Sequence, residues 1–136
     1  MSAQLCCVDP AQVATIWPHV SHLIRRAMAR GRMGRFADVE RDVLAADAYL
    51  WLAIEQGGVL AAAVTQVTQQ DDHRLCTIVA CGGRDFARWG GLIAGLENYA
   101  RAERCARVEI AGRPGWLRRL PGYRLAKIVL RKELDS

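Results

Sequence analysis

Two short apolar runs with a long amphipathic stretch between them constrain this chain more than any other feature. Leu75 to Cys81 (LCTIVAC) is apolar almost without interruption, which leaves no solvated face and predicts a central strand. Ala106 to Ala111 (ARVEIA) predicts a further strand. Between them, from about Asp85 to Glu103, residues Phe86, Trp89, Leu92, Ile93, Leu96, Tyr99 and Ala100 recur along one side of a helix. Strand, helix and strand in so short a span form a crossover unit. Its two strands must be parallel neighbours joined by a right-handed connection.

The rest of the chain arranges itself around that unit. Leu5 to Val8 predicts a first strand, and Asp9-Pro10 reads as the start of a helix, with Asp9 as N-cap and Pro10 in the first turn. Val13, Ile16, Trp17, Val20, Leu23, Ile24, Ala27 and Met28 carry that helix forward, with a kink expected at Pro18. After Gly31 and Gly34, a shorter helix runs through Phe36, Val39, Val43 and Leu44 and is expected to end near Asp47. From Tyr49 the period changes: YLWLAIE, a turn at Gln56-Gly57-Gly58 and VLAAAVTQVTQ predict an antiparallel pair, and Gln70 to Asp72 turns the chain into the central strand. A short helix around Trp116 and Leu117 and a last strand from Tyr123 to Leu134 complete the order. The expectation is one domain, 1–136, of class α/β (α+β), with a mixed sheet, mostly antiparallel with one parallel strand pair, flanked by helices.

Composition fits a folded chain of this length. With 136 residues, 51% of them apolar and 24% charged, it can bury a core without disulfides or a structural metal. The five cysteines are odd in number and form no CxxC, so they read as reduced thiols in a cytoplasmic protein. Neither a signal peptide nor a membrane span is expected, because no apolar run approaches membrane-spanning length. The net charge is +5, and only Lys127 and Lys132 of the 19 basic residues are lysine. The arginines from Arg25 to Arg35 read as a solvated helix end or as contacts to nucleic-acid phosphates. His19 and His22, three apart, lack an acidic third ligand and read as a polar helix face, so no metal site is expected.

The stretch LCTIVACGGRDFARWGGLIAGLENYARAERCARVEIAG followed by WLRRLPGY, taken with the element order, resembles the GNAT superfamily of acetyl-CoA-dependent acetyltransferases, over nearly the whole chain. The resemblance implies a site for acetyl-CoA lined by Val79, Cys81, Gly82, Gly83, Arg84, Arg88, Gly90 and Gly91. The family's phosphate-binding loop, roughly Q/R-x-x-G-x-G/A, matches in neither register: starting at Arg84 puts Ala87 and Trp89 on the glycine positions, and starting at Arg88 puts Gly91 and Ile93 there. Gly82 and Gly83 can equally mark a strand-to-helix turn with positive φ, and Asp85 as N-cap would compete with a phosphate for the same amides. The segment that the family usually writes LYEKxGF places Arg118 where a tyrosine acid is usual. An arginine cannot release a proton at neutral pH, which leaves Tyr123 as the nearby hydroxyl. Glu109 is the candidate base, with Glu55 weaker. Cys81 as a nucleophile would need an activating histidine, and none is near in sequence.

The short segment after Gly122 implies an open acceptor groove, suited to an amine on a peptide, a protein or a small molecule. Three readings follow: an N-acetyltransferase; a catalytically inactive GNAT-fold binding or assembly module of the kind encoded by bacteriophages; and a basic nucleic-acid-binding accessory domain. A strand edge pairing with a second copy, giving a homo-oligomer, stays open.

Overall fold

A computed structural model describes residues 3–31, 34–112 and 115–135. Five strands form one sheet in chain order: β1 (Gln4–Cys7), β2 (Tyr49–Glu55), β3 (Gly58–Gln70), β4 (His73–Gly83) and β5 (Cys105–Ile110). The first three junctions are antiparallel, and β4 and β5 are parallel, as the crossover requires. Helices α1 (Pro10–Gly31) and α2 (Phe36–Leu44) follow β1. Helices α3 (Phe86–Trp89) and α4 (Ile93–Ala102), separated by a 3₁₀ turn at Gly90–Leu92, lie between β4 and β5, and α5 (Trp116–Arg119) follows β5.

Both faces of the sheet are covered, so its strands alternate between two cores rather than between core and water. Leu50, Leu52, Ala62 and Val64 pack with Val13, Trp17, Val20 and Ile24 of α1 and Val39 and Val43 of α2. Their neighbours Trp51, Ala53, Ala61 and Ala63 pack instead with Trp89, Ile93 and Leu96. This two-sided burial is why YLWLAIE and LCTIVAC read as continuous apolar runs. Thr65 is the buried polar residue of the described core, and its hydroxyl accepts a hydrogen bond from the Trp51 indole at 2.9 Å.

The local signals act as expected at several points. The Asp9 carboxylate accepts the Ala11 amide at 2.9 Å, fixing the start of α1. The β2–β3 turn places Gln56 and Gly57 at φ of 52° and 78°, the paired positive angles of a tight hairpin. Pro18 is accommodated on the exposed side of α1, which runs through it without a break.

Four expectations are corrected. The β4 strand extends to Gly83, so Gly82 and Gly83 are strand residues, and neither has positive φ. The long third helix is broken at Gly90 and Gly91, where two adjacent glycines leave the α-helix poorly supported and the chain tightens to 3₁₀. Helix α2 ends at Leu44, half-exposed, before Asp47. Residues 123–134 form no strand: a strand exists only with a hydrogen-bonded neighbour, and the outer edge of β5 pairs with nothing among the described residues. Leu125, Ile128, Val129, Leu130 and Leu134 accordingly face solvent.

These placements predict a sharp contrast. Ile24→Ala, at a fully buried position, should cost about 2–5 kcal/mol. Leu130→Ser, at a position 91% exposed, should change stability by less than about 0.5 kcal/mol. Urea denaturation of the two variants beside wild type checks both.

Candidate functional site

The site originates in a change of pairing along β4. Up to Ile78 this strand is bonded on both sides. At Val79 the register with β3 slips, because Thr65 faces Ile78 while Val64 faces Ala80, and Val79 is left as an extra residue in a bulge. On the other side the ladder with β5 stops at Ile78 opposite Ile110, with a final bond from the Ala111 amide to the Ile78 carbonyl at 3.1 Å. Beyond that point Ala80 to Gly83 continue against β3 alone. Their free edge faces a cleft of about 600 Å³, a volume suited to a small-molecule ligand. Strand amides and carbonyls on such an edge need partners, which makes the edge a bonding surface.

The walls of the cleft come from separate elements. Helix α1 supplies His19, His22, Arg26 and Arg30, and the opposite wall carries Arg84, Phe86, Trp89, Trp116 and Arg119. Gly82 permits this meeting of helix and strand, because a Cβ there would lie 2.9 Å from the Ala27 Cβ. Gly83 is tighter still, with its Cβ position 2.3 Å from the Leu60 carbonyl oxygen. Close approach is what these glycines provide.

The chain then turns into α3 with its own backbone groups occupied. The Arg84 amide donates to the Leu60 carbonyl at 3.0 Å, and its carbonyl accepts the Trp89 indole N–H at 2.8 Å. Asp85 sits at the N-cap position in left-handed backbone, φ 57°, and makes no side-chain cap bond. A capping carboxylate needs extended backbone to reach the first amides, so the expected competition with an anion does not arise. The Asp85 carboxylate instead lies 3.7 Å from Arg88, which also bonds the nearly buried Glu55 carboxylate. Arg88 thereby ties α3 to the β2–β3 hairpin and does not line the larger cleft.

The other expected residues are distributed as follows. Val79, Cys81, Gly82, Gly83 and Arg84 come together in the larger cleft. Gly90 and Gly91 line a second cleft, of about 280 Å³, with Glu97, Arg119 and Tyr123. The half-buried Tyr123 hydroxyl donates to the Glu97 carboxylate at 2.8 Å, and burial followed by that carboxylate raises its pKa. Glu109 lies on β5 one residue before the strands part and pairs with Lys127 at 3.1 Å. Arg118 is exposed on α5. Among the described residues no group of three acidic, histidine or cysteine side chains could hold a metal. No helix among them is long and apolar enough to cross a membrane.

The sequence reading missed Arg26, Arg30 and Arg119 as cleft residues. A signal existed for α1: His19, His22, Arg26 and Arg30 are spaced three and four apart, one helical stripe beside the buried stripe Val13, Trp17, Val20, Ile24, Met28.

The comparisons with known proteins bear on this geometry. No protein-family model matches the chain, and no curated protein matches it by sequence. Solved structures do match its fold. A GNAT family acetyltransferase of Staphylococcus aureus superposes with a TM-score of 0.67 at 14% identity, over 98% of this chain and all of its own. An aminoglycoside acetyltransferase from an uncultured soil metagenomic sample, solved with sisomicin, gives 0.69 at 10% identity over 98% and 97% of the two chains. A ribosomal-protein-alanine N-acetyltransferase of Brucella melitensis gives 0.64 at 10% identity over 95% and 99%. The chain has the fold of GNAT-family acetyltransferases, in agreement with the resemblance in its sequence.

Burial makes a testable statement about Cys81. Desolvation pushes its thiol from 9.0 up to about 12, and that of Cys76 up to about 11, so both stay protonated and unreactive at neutral pH. Native alkylation should modify the exposed Cys6 and Cys7 and spare Cys76 and Cys81 until the chain is denatured. Because the folded state raises these pKa values, the stabilisation is complete below pH 9.0 and is lost as pH rises toward about 12. The slope for Cys81 is up to about 1.4 kcal/mol per pH unit, and denaturation curves at pH 8 and about 10.5 read it.

Proposed function

We propose that the chain binds acetyl-CoA in the larger cleft and transfers the acetyl group to an amine by direct attack. The observation that carries this reading is the parting of β4 from β5 at Ile78, which leaves a strand edge, buried at Ala80 and Cys81 and open at Gly83, with free backbone donors facing a cleft of ligand size. Bound acetyl-CoA would supply a thioester, an acyl group already activated toward an amine. The chain would hold it through the free amides of the β4 edge. Arg84 and Arg119, which have no carboxylate partner among the described residues, would face its phosphates. The second cleft, beside Gly90 and Gly91, continues the same surface and would take the remainder of so large a ligand.

On the acceptor side the wall of α1 offers imidazoles. His19 and His22 are exposed in the cleft, where either can accept the proton that the attacking amine must lose. They replace Glu109 as the preferred base, since Glu109 is held by Lys127 and does not line the cleft. Cys81 serves as cleft wall, because a thiol held protonated is a poor nucleophile.

One observation favours the inactive binding module as the second reading. None of Tyr49, Tyr99 and Tyr123 lines the larger cleft, and Arg118, in the usual tyrosine position, is exposed, so a tyrosine to protonate the departing thiolate is missing there. In that case solvent must supply the proton or turnover is absent.

Calorimetric titration with acetyl-CoA tests the transferase reading. Binding should be weakened roughly tenfold or more by Arg84→Gln with Arg119→Gln. No binding at millimolar acetyl-CoA would sink the transferase reading and leave the inactive module. Gly83→Glu is a poor probe, because its side chain has no room against Leu60. If binding is accompanied by turnover, the His19→Ala, His22→Ala pair should lower kcat/KM by about 10²-fold or more. Glu109→Gln should change kcat/KM by less than about threefold.

A further inference from the structure

We infer that the amine acceptor carries an acidic group, a carboxylate or a phosphate, which Arg26 and Arg30 of α1 hold; the inference rests on the larger cleft being the site of transfer. Among the described residues four arginines line that cleft, Arg26 and Arg30 on the α1 wall and Arg84 and Arg119 on the other. The one carboxylate among the described lining residues is that of Asp85, which lies beside Arg88. No carboxylate among the described residues is within ion-pairing distance of any of the four, whereas Arg41 pairs with Asp38 and Asp42 and Arg88 with Glu55 and Asp85.

The α1 pair is distinctive within its own helix. Arg26 and Arg30 are one turn apart, and like charges at that spacing repel. Helix α1 contains no acidic residue to offset them. The neighbouring Arg25 is committed elsewhere, its guanidinium 4.0 Å from the centre of the Phe36 ring. Two exposed guanidiniums on a cleft wall, unpaired and adjacent, form a two-pronged anion receptor.

The two pairs also occupy different places along the site. Arg84 sits between β4 and α3, and Arg119 lies over the Phe86 ring at 4.9 Å, where Arg119 and Phe86 also line the second cleft. Arg26 and Arg30 face them from across the cleft, together with the imidazoles of His19 and His22. One pair for the phosphates of the donor and one for the acid of the acceptor accounts for all four. The same field repels a polycation, so an acceptor resembling the sisomicin bound by the soil aminoglycoside acetyltransferase is disfavoured here.

The test uses amines that differ in their acidic group. O-Phosphoethanolamine and β-alanine, each titrated into the whole chain with and without saturating coenzyme A, should bind at least about tenfold more tightly than ethanolamine. Sisomicin should give no detectable binding. Raising salt from about 50 to about 300 mM should weaken the acidic amines several-fold. Arg26→Gln with Arg30→Gln should remove the preference for acidic amines while changing acetyl-CoA affinity less than about twofold, and Arg84→Gln with Arg119→Gln should do the reverse. Phosphate and carboxylate as the recognised group are told apart by which of the two acidic amines binds more tightly. Equal binding of ethanolamine and O-phosphoethanolamine, tighter binding of sisomicin, or a loss of acetyl-CoA affinity in the Arg26, Arg30 variant overturns the inference. So does a short RNA that needs these arginines when the acidic amines show no preference. If acetyl-CoA fails to bind while O-phosphoethanolamine binds through Arg26 and Arg30, the anion receptor stands and the transfer reading falls.

Discussion

The larger cleft of this molecule follows from the loss of one ladder of hydrogen bonds. Through Ile78, β4 is bonded to both β3 and β5 and buried on both faces. One residue later a bulge turns the strand and β5 departs, so the same strand acquires an open edge as it runs from the interior at Ala80 and Cys81 to the surface at Gly83. The pairing with β3 persists to Gly83, which holds this edge in place in the absence of its second neighbour. Rigidity on one side and unmet bonding capacity on the other are what a binding surface needs. A loop in the same position would supply the second without the first.

Arginine, the unusual feature of the composition, divides by environment. Arg88 and Arg41 are neutralised by nearby carboxylates and serve as ties between or within elements. Arg25 and Arg119 lie over aromatic rings. Most of the other described arginines have no such partner, and Arg26, Arg30 and Arg84 are the ones among them that line the larger cleft. Charge that a fold leaves uncompensated at a concave surface is focused there by the low-dielectric walls.

The sheet and its order were legible in the sequence because burial writes a period into the residues it acts on. LCTIVAC could only be a doubly covered strand, and Asp9-Pro10 and Gln56-Gly57 mark their boundaries by local chemistry. Three features were hidden, each because its cause is non-local. Gly82 and Gly83 belong to the strand because β3 is long enough to keep pairing with them. The alternation in YRLAKIVLRKEL describes a strand but cannot supply its neighbour. Arg26 and Arg30 reach the site because of the side of α1 that the end of β4 meets, which no property of the helix alone reveals. The larger cleft was partly legible: Cys81 to Arg84 were found from their place after the central strand, while Arg88, Glu109 and Tyr123 proved to be engaged with Glu55, Lys127 and Glu97.

The two stripes of α1 carry separate duties. Val13, Trp17, Val20, Ile24 and Met28 hold the helix to the sheet, and His19, His22, Arg26 and Arg30 border the cleft without being buried. Substitutions in the second stripe replace exposed side chains, not packed ones. A lineage carrying this fold can therefore exchange the chemistry of one cleft wall, trading basic side chains for acidic or neutral ones, at little cost in folding stability. In this architecture ligand preference is free to drift while the scaffold stays fixed.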